Sequence, residues 1–196
     1  VGCTATGPDE VSPTRVLQSV AVSVDPNGAV TAIDGTAIYL DETSLESTSA
    51  ETSYATKDVV GDLPVRVTTQ YRTVDGSGSD LADLAGYSGR VEIGVTLENL
   101  TVSSSEVTYD AAGQSRATPA LVGTPLSVAA SAKLDGIAAS SVVFNPDESG
   151  TTNGVVSSAA NGDAVIQWAT LLAPPQSEAT TTFRLVADVE DFSLPS

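Results

Sequence analysis

The chain has 196 residues, of which 25 are acidic and 8 basic, for a formal charge of −17 with no histidine, no methionine and one cysteine. That excess of carboxylates repels phosphate backbones and anionic lipid headgroups, which argues against nucleic acid or a bare membrane as partner. The missing histidine removes the commonest general base and metal ligand, and no run of about 18 apolar residues is present to cross a bilayer.

Residues 1–14 (VGCTATGPDEVSPT) show no hydrophobic period and carry Gly-Pro and Ser-Pro steps, so they read as a tether. Val1-Gly2-Cys3 matches the end of a bacterial lipobox, which makes Cys3 the expected lipidation site. From Cys3 a tether of about eleven residues reaches at most roughly 36–40 Å. Val16, Val20, Val22 and Val24 then alternate with Ser19, Ala21 and Ser23 up to Asp25-Pro26-Asn27-Gly28, a hairpin signal. A second turn is expected at Asp34-Gly35, before Ile38–Leu40. Residues 41–60 are polar and charged, and are expected at a sheet edge, where charge blocks unwanted pairing. Residues 15–60 thus form a predicted β-meander, either separate or part of one sandwich with the rest.

Residues 61–196 read as a β-sandwich. Val65, Val67, Thr69 and Tyr71 share one strand face. Asp80–Ala85 has apolar spacing for a single helical turn, stopped by Gly86. The clearest signal is Gly89–Thr101 (GRVEIGVTLENLT), where Val91, Ile93, Val95 and Leu97 alternate with Arg90, Glu92, Gly94, Thr96 and Glu98. Residues 110–119 show no period. Leu126–Leu134 alternates again, Val142–Phe144 is a short strand, and Ile166, Trp168 and Leu172 share a face before Pro174-Pro175. Phe183, Leu185, Ala187 and Val189 line the last strand, with Phe192–Pro195 expected to leave the domain. Short alternating segments with turns between them predict an all-β, antiparallel, immunoglobulin-like sandwich. Its core should hold Val91, Ile93, Val95, Leu97 and Phe183, with Trp168 as the plug between sheets.

Val20–Ala32 (VAVSVDPNGAVTA), Leu63–Gly76 (LPVRVTTQYRTVDG) and Asp80–Asn99 (DLADLAGYSGRVEIGVTLEN) together resemble the β-rich N-terminal region of large surface proteins of Gram-positive bacteria, actinobacteria among them. These are loosely grouped with the phage-infection-protein (Pip/YhgE-like) membrane proteins. Trp168–Pro195 resembles the closing strands of bacterial immunoglobulin-like domains. The resemblance implies an extracellular domain attached to the cell envelope, by a lipid or a downstream segment, with no established catalytic residues.

Candidate sites are few. Asp75, Ser77, Ser79 and Asp80 alternate oxygen ligands as hard-cation loops do, but lack the further carboxylates of an EF-hand; a flexible hairpin tip competes as the plainer reading. Asp147 and Glu148 form a weaker acidic pair. Asn99-Leu100-Thr101 is sequon-like and reads as a strand end. Carboxylate pairs are plentiful by chance, and Ser or Thr nucleophiles have no histidine and no Ser-x-x-Lys partner. No enzyme activity, cofactor or bound metal is therefore expected. The expected function is a non-catalytic, membrane-tethered structural or interaction domain; the alternative is a ligand-binding adhesin or receptor contacting a phage or surface polymer. A spacer needs only small exposed apolar patches, whereas a receptor needs a contiguous one of several hundred Å².

Overall fold

Valine-rich alternation and β-branched residues make strands of nearly all the regular structure, and every strand pair is antiparallel. The computed structural model describes residues 15–25, 29–41, 46–145 and 150–193. Contacts divide the chain into two units, with the boundary between Asp62 and Leu63.

The first unit is a meander of β1 (Arg15–Val24), β2 (Val30–Leu40) and β3 (Ser47–Tyr54), in that spatial order. β3 is an edge strand with all eight residues exposed, the position its polar composition calls for. The expected turn at Asp34-Gly35 is instead the middle of β2, where Gly35 pairs with Val20 on one side and Thr52 on the other. The glycine serves the sheet by admitting a ring. A Cβ at Gly35 would come within 2.8 Å of the Tyr54 ring, which lies over it. Asp34 points to the other face and accepts a hydrogen bond from the Ser53 hydroxyl at 2.6 Å. A short helix, α1 (Thr56–Val59), continues into a 3-10 turn at Val60–Asp62. Neither shows in the apolar spacing, because neither buries a residue.

The second unit stacks two sheets. One runs β12 (Thr180–Val189), β6 (Gly89–Asn99), β4 (Val65–Arg72), β5 (Ser77–Gly78); the other runs β10 (Val155–Ser158), β11 (Asp163–Leu172), β9 (Leu126–Ala138). Leu97 and Phe183 meet Leu172, Leu126 and Val128 across the gap, and Ile93 and Leu185 meet Ala164 and Ile166. Val91, Leu97 and Phe183 are buried as expected, while Ile93 and Val95 are half-buried at the margins of these clusters. A 3-10 turn at Leu81–Leu84 closes one end, where Leu81 and Leu84 pack on Val91, Ala187 and Val189. Phe192 does not leave the domain. It packs on this end, and its backbone N–H donates to the Tyr87 carbonyl at 2.9 Å.

Two expectations need correction. Residues 110–119, predicted irregular, belong to a regular hairpin of β7 (Ser103–Ala111) and β8 (Gln114–Val122), closed by Ala112-Gly113 at φ 57° and 78°. Positive φ at both loop positions is the hairpin geometry that matches strand twist. The ribbon leaves both faces largely exposed, so neither face selects apolar residues and no period is written into it. Trp168 is half-buried rather than a sealed plug. Its ring stacks on Phe183 at a 5.6 Å centroid distance, and its indole N–H must reach a partner, found in the Asn153 side-chain oxygen at 3.0 Å.

Gly154 lies under the same indole: a Cβ there would meet Trp168 Nε1 and Ile166 Cγ2 at 2.6 Å. Gly154→Ala should therefore cost about 1–3 kcal/mol from overpacking. Trp168→Ala should cost about 3 kcal/mol from the cavity it leaves. Urea denaturation reads both, and an unchanged midpoint in either variant would show that this contact is not part of the core.

Candidate functional site

The outer edge of β12 is closed without a full strand. The expected strand at Val142–Phe144 is only a single antiparallel bridge of Val142 to Ala187, with the Val143 N–H donating to the Val186 carbonyl at 2.8 Å, and side chains complete the edge. Thr152 Oγ1 donates to the Val186 carbonyl at 3.1 Å and accepts from the Val186 N–H at 2.9 Å, so one hydroxyl satisfies both backbone groups of that residue. Asn153 does the same one step on. Its Oδ1 accepts from the Arg184 N–H at 2.7 Å, and its Nδ2 donates to the Thr182 carbonyl at 2.9 Å. Thr152 is buried as a result, and so is Val186, which points away from the sandwich core. The edge has no free pairing groups here for another strand to use.

Asn99 is the other buried polar residue with a full set of partners. Its Nδ2 donates to the carbonyls of Thr124 and Leu172 at 2.9 and 3.1 Å, and its Oδ1 accepts from the Thr101 N–H and hydroxyl at 2.9 and 2.7 Å. The sequon-like triplet is thus a strand end, with its amide turned inward and both N–H groups used. Asn99 ties the end of β6 to the ends of β8 and β11, a role its sequence context did not announce.

The cation candidates are dispersed by local structure. Thr73 Oγ1 accepts from the N–H groups of Asp75 and Gly76, both at 3.2 Å, which fixes the tip. Ser77 is taken into β5 opposite Arg72. Asp80 Oδ1 accepts from the Ala82 N–H at 2.9 Å and caps the 3-10 turn. Among the described residues no group of three or more His, Cys, Asp or Glu is placed to hold a metal ion. Cys3, Asp147, Glu148 and the Asn27-Gly28 turn lie outside the described residues.

Three arginines on the outer face of β12-β6-β4 are paired across strands. Arg90 makes two parallel bonds to Asp188, at 2.9 and 3.0 Å. Arg184 reaches Glu92 at 3.0 Å and Arg66 reaches Glu98 at 3.1 Å. At the β9–β11 end, Lys133 bridges Asp135 and Asp163. Hydrogen bonds from Asn161 and then Lys133 hold the Asp163 carboxyl below the usual carboxylate range, and the bond from Arg90 does the same for Asp188. These are exposed pairs that fix register and contribute little stability. Nothing in them is arranged around a reacting group.

A surface without charged residues lies on the first unit. The rows Val16–Tyr39–Thr48, Gln18–Ala37–Ala50, Val20–Gly35–Thr52 and Val22–Ile33–Tyr54 project from one side of the sheet, followed by Val24 opposite Val30. No charged residue stands on this side. The reverse side carries Asp34 and Glu51 with Ser19, Thr36 and Ser53, and it also carries Leu17, Ile38 and Leu40, of which Leu17 is 60% exposed. Val16 is 52% exposed, and Val20, Val22, Val24, Tyr39 and Tyr54 are all among the exposed large apolar residues. Ile33 and Gly35 are buried on this side, both beside Tyr54. Three strands about 4.8 Å apart and about eight residues of roughly 3.4 Å each give this side an area of roughly 400 Å².

The ion pairs make a test of pH. Asp188 has its folded pKa depressed below the unfolded value near ~3.9. Its contribution is therefore present above that value and is lost as the pH falls through the folded one. Asp188→Asn should lower the urea midpoint at neutral pH, and the difference from wild type should vanish in acid. A difference that persists unchanged in strong acid would mean that the ion pair is not its source.

Comparison with protein-family models, with curated proteins and with solved structures finds no match to the chain.

Proposed function

We propose that this chain is a non-catalytic extracellular interaction domain of a bacterial cell-surface protein, held to the envelope through Cys3 or through a downstream segment. The observation that carries the reading is the uncharged, valine- and tyrosine-bearing side of the β1–β2–β3 sheet. The whole side spans roughly 400 Å² by strand spacing, with Gln18, Thr48 and Thr52 among its apolar residues, and contiguous apolar surface of a few hundred Å² is often functional. A passive spacer has no use for such a surface, and a net charge of −17 makes its freedom from charge a local exception. The same surface supports the adhesin or receptor alternative, in which the ligand is a phage or surface polymer. The two stacked antiparallel sheets of the second unit support an immunoglobulin-like scaffold that holds the module.

Two experiments in the producing bacterium test this reading. A photo-crosslinking aromatic residue is placed at Tyr39, on the apolar side, or at Thr36, on the reverse side. The reading expects protein adducts from position 39 and few or none from 36; equal yields from both, or none from 39, would contradict it. Cys3→Ala tests the tether. Loss of envelope retention and of a lipid mass shift on Cys3 is expected. Full retention together with an unmodified Cys3 in the wild type would move the attachment to a downstream segment.

A further inference from the structure

We propose that the apolar side of the β1–β2–β3 sheet is a self-association surface, on which a second copy of this chain packs face to face. This rests on the reading of that side as an interaction surface and names its occupant. The first argument is charge. Two chains of −17 each repel wherever their acidic surfaces approach. The side defined by Val16, Val20, Val22 and Val24 brings no ionisable carboxylate into contact, because Asp34 and Glu51 point to the reverse side. Within this unit it is the surface through which two copies can meet without stacking like charges.

The second argument is shape. β1 presents Val16, Val20 and Val22 with Gln18 among them, while β2 and β3 present Ala37 and Ala50 side by side as a low spot between Tyr39 and the Tyr54 ring over Gly35. A two-fold arrangement that sets a β1 valine of each copy in the Ala37–Ala50 low spot of the other meets the self-complementarity that an isologous contact requires. Two sheets packed this way sit about 10 Å apart and make a six-stranded sandwich from two half-sandwiches.

The third argument is area. A three-stranded sheet gains stability by having its apolar face covered. Roughly 400 Å² on each copy gives a total of about 800 Å², the size of a weak, transient contact rather than of a stable dimer. The dimer is accordingly weak and concentration-dependent, and salt that screens the acidic surfaces strengthens it.

Sedimentation velocity of the whole chain, from micromolar to sub-millimolar concentration and at low and high salt, tests the proposal with two lysine variants. Val20→Lys places an unpaired ammonium in the contact, and Thr36→Lys makes the same charge change on the reverse side. Both reduce the net negative charge equally, so general repulsion cannot explain a difference between them. The wild type and Thr36→Lys should dimerise with similar affinity and more tightly at high salt, while Val20→Lys should lose at least about tenfold in affinity. Val20 is 42% exposed, so the substitution is compatible with the fold. If circular dichroism shows a loss of strand signal, Val16→Lys at the start of β1 takes its place. A wild type that stays monomeric throughout, or a dimer that survives the β1 lysine, would overturn self-association. A monomer that still yields adducts to another protein from position 39 would overturn the inference and leave the interaction reading standing. A monomer with no adducts would end both.

Discussion

Short side chains are the constraint behind this fold. With five Tyr, three Phe and one Trp, the strands are built of Val, Ala, Ser and Thr, and two sheets about 10 Å apart cannot be filled by such residues alone. The chain meets this by setting aromatic rings over glycines. Tyr54 covers Gly35, Tyr71 covers Gly78, Tyr87 lies against Gly89, and Trp168 covers Gly154. In each pair the missing Cβ lets a ring lie close to a backbone, which adds contact area without adding bulk. The Trp168–Phe183 stack does the same work between the two sheets, with Asn153 fixing the indole.

The two units solve the problem of an uncovered sheet differently. In the second, both sheets cover each other, Leu81 and Leu84 close one end, and Thr152 and Asn153 occupy the hydrogen-bonding groups along β12. In the first, one side of a three-stranded sheet is dry by composition and exposed by structure. A surface of this kind has a cost in water unless something binds it, which is why the functional argument settles there and not on the charged face of β12-β6-β4. There Arg66, Arg90 and Arg184 each already have a carboxylate.

What could be read from the sequence was whatever a core imposes. Val91, Ile93, Val95 and Leu97 alternate because one side of β6 meets β11 and β9, and the same holds for Phe183–Val189. The β7–β8 ribbon was illegible because neither of its faces is buried. Asp34-Gly35 looked like a turn because Asp-Gly usually is one; only the tertiary contact with Tyr54 explains a glycine in mid-strand. Alternating oxygens in the sequence did not reveal that Asp80 caps the 3-10 turn and that Ser77 pairs in β5. Asn99 and Thr152 were missed because side chains that replace backbone partners leave no spacing pattern. The valines of β1 and the polar stretch of β3 were visible from the start, but the register that gathers the valines, Tyr39 and Tyr54 on one uncharged side was not.

The central claim is that the β1–β2–β3 sheet has a dry side that needs cover from a partner. Amide hydrogen exchange measured strand by strand across a range of protein concentrations tests it most directly. The account predicts that in dilute solution the amides of β1, β2 and β3 exchange faster than those of β6, β11 and β12, and that they slow as concentration rises while the others do not change. Strong protection of β1–β3 in dilute solution, equal to that of β6, β11 and β12 and independent of concentration, would contradict it.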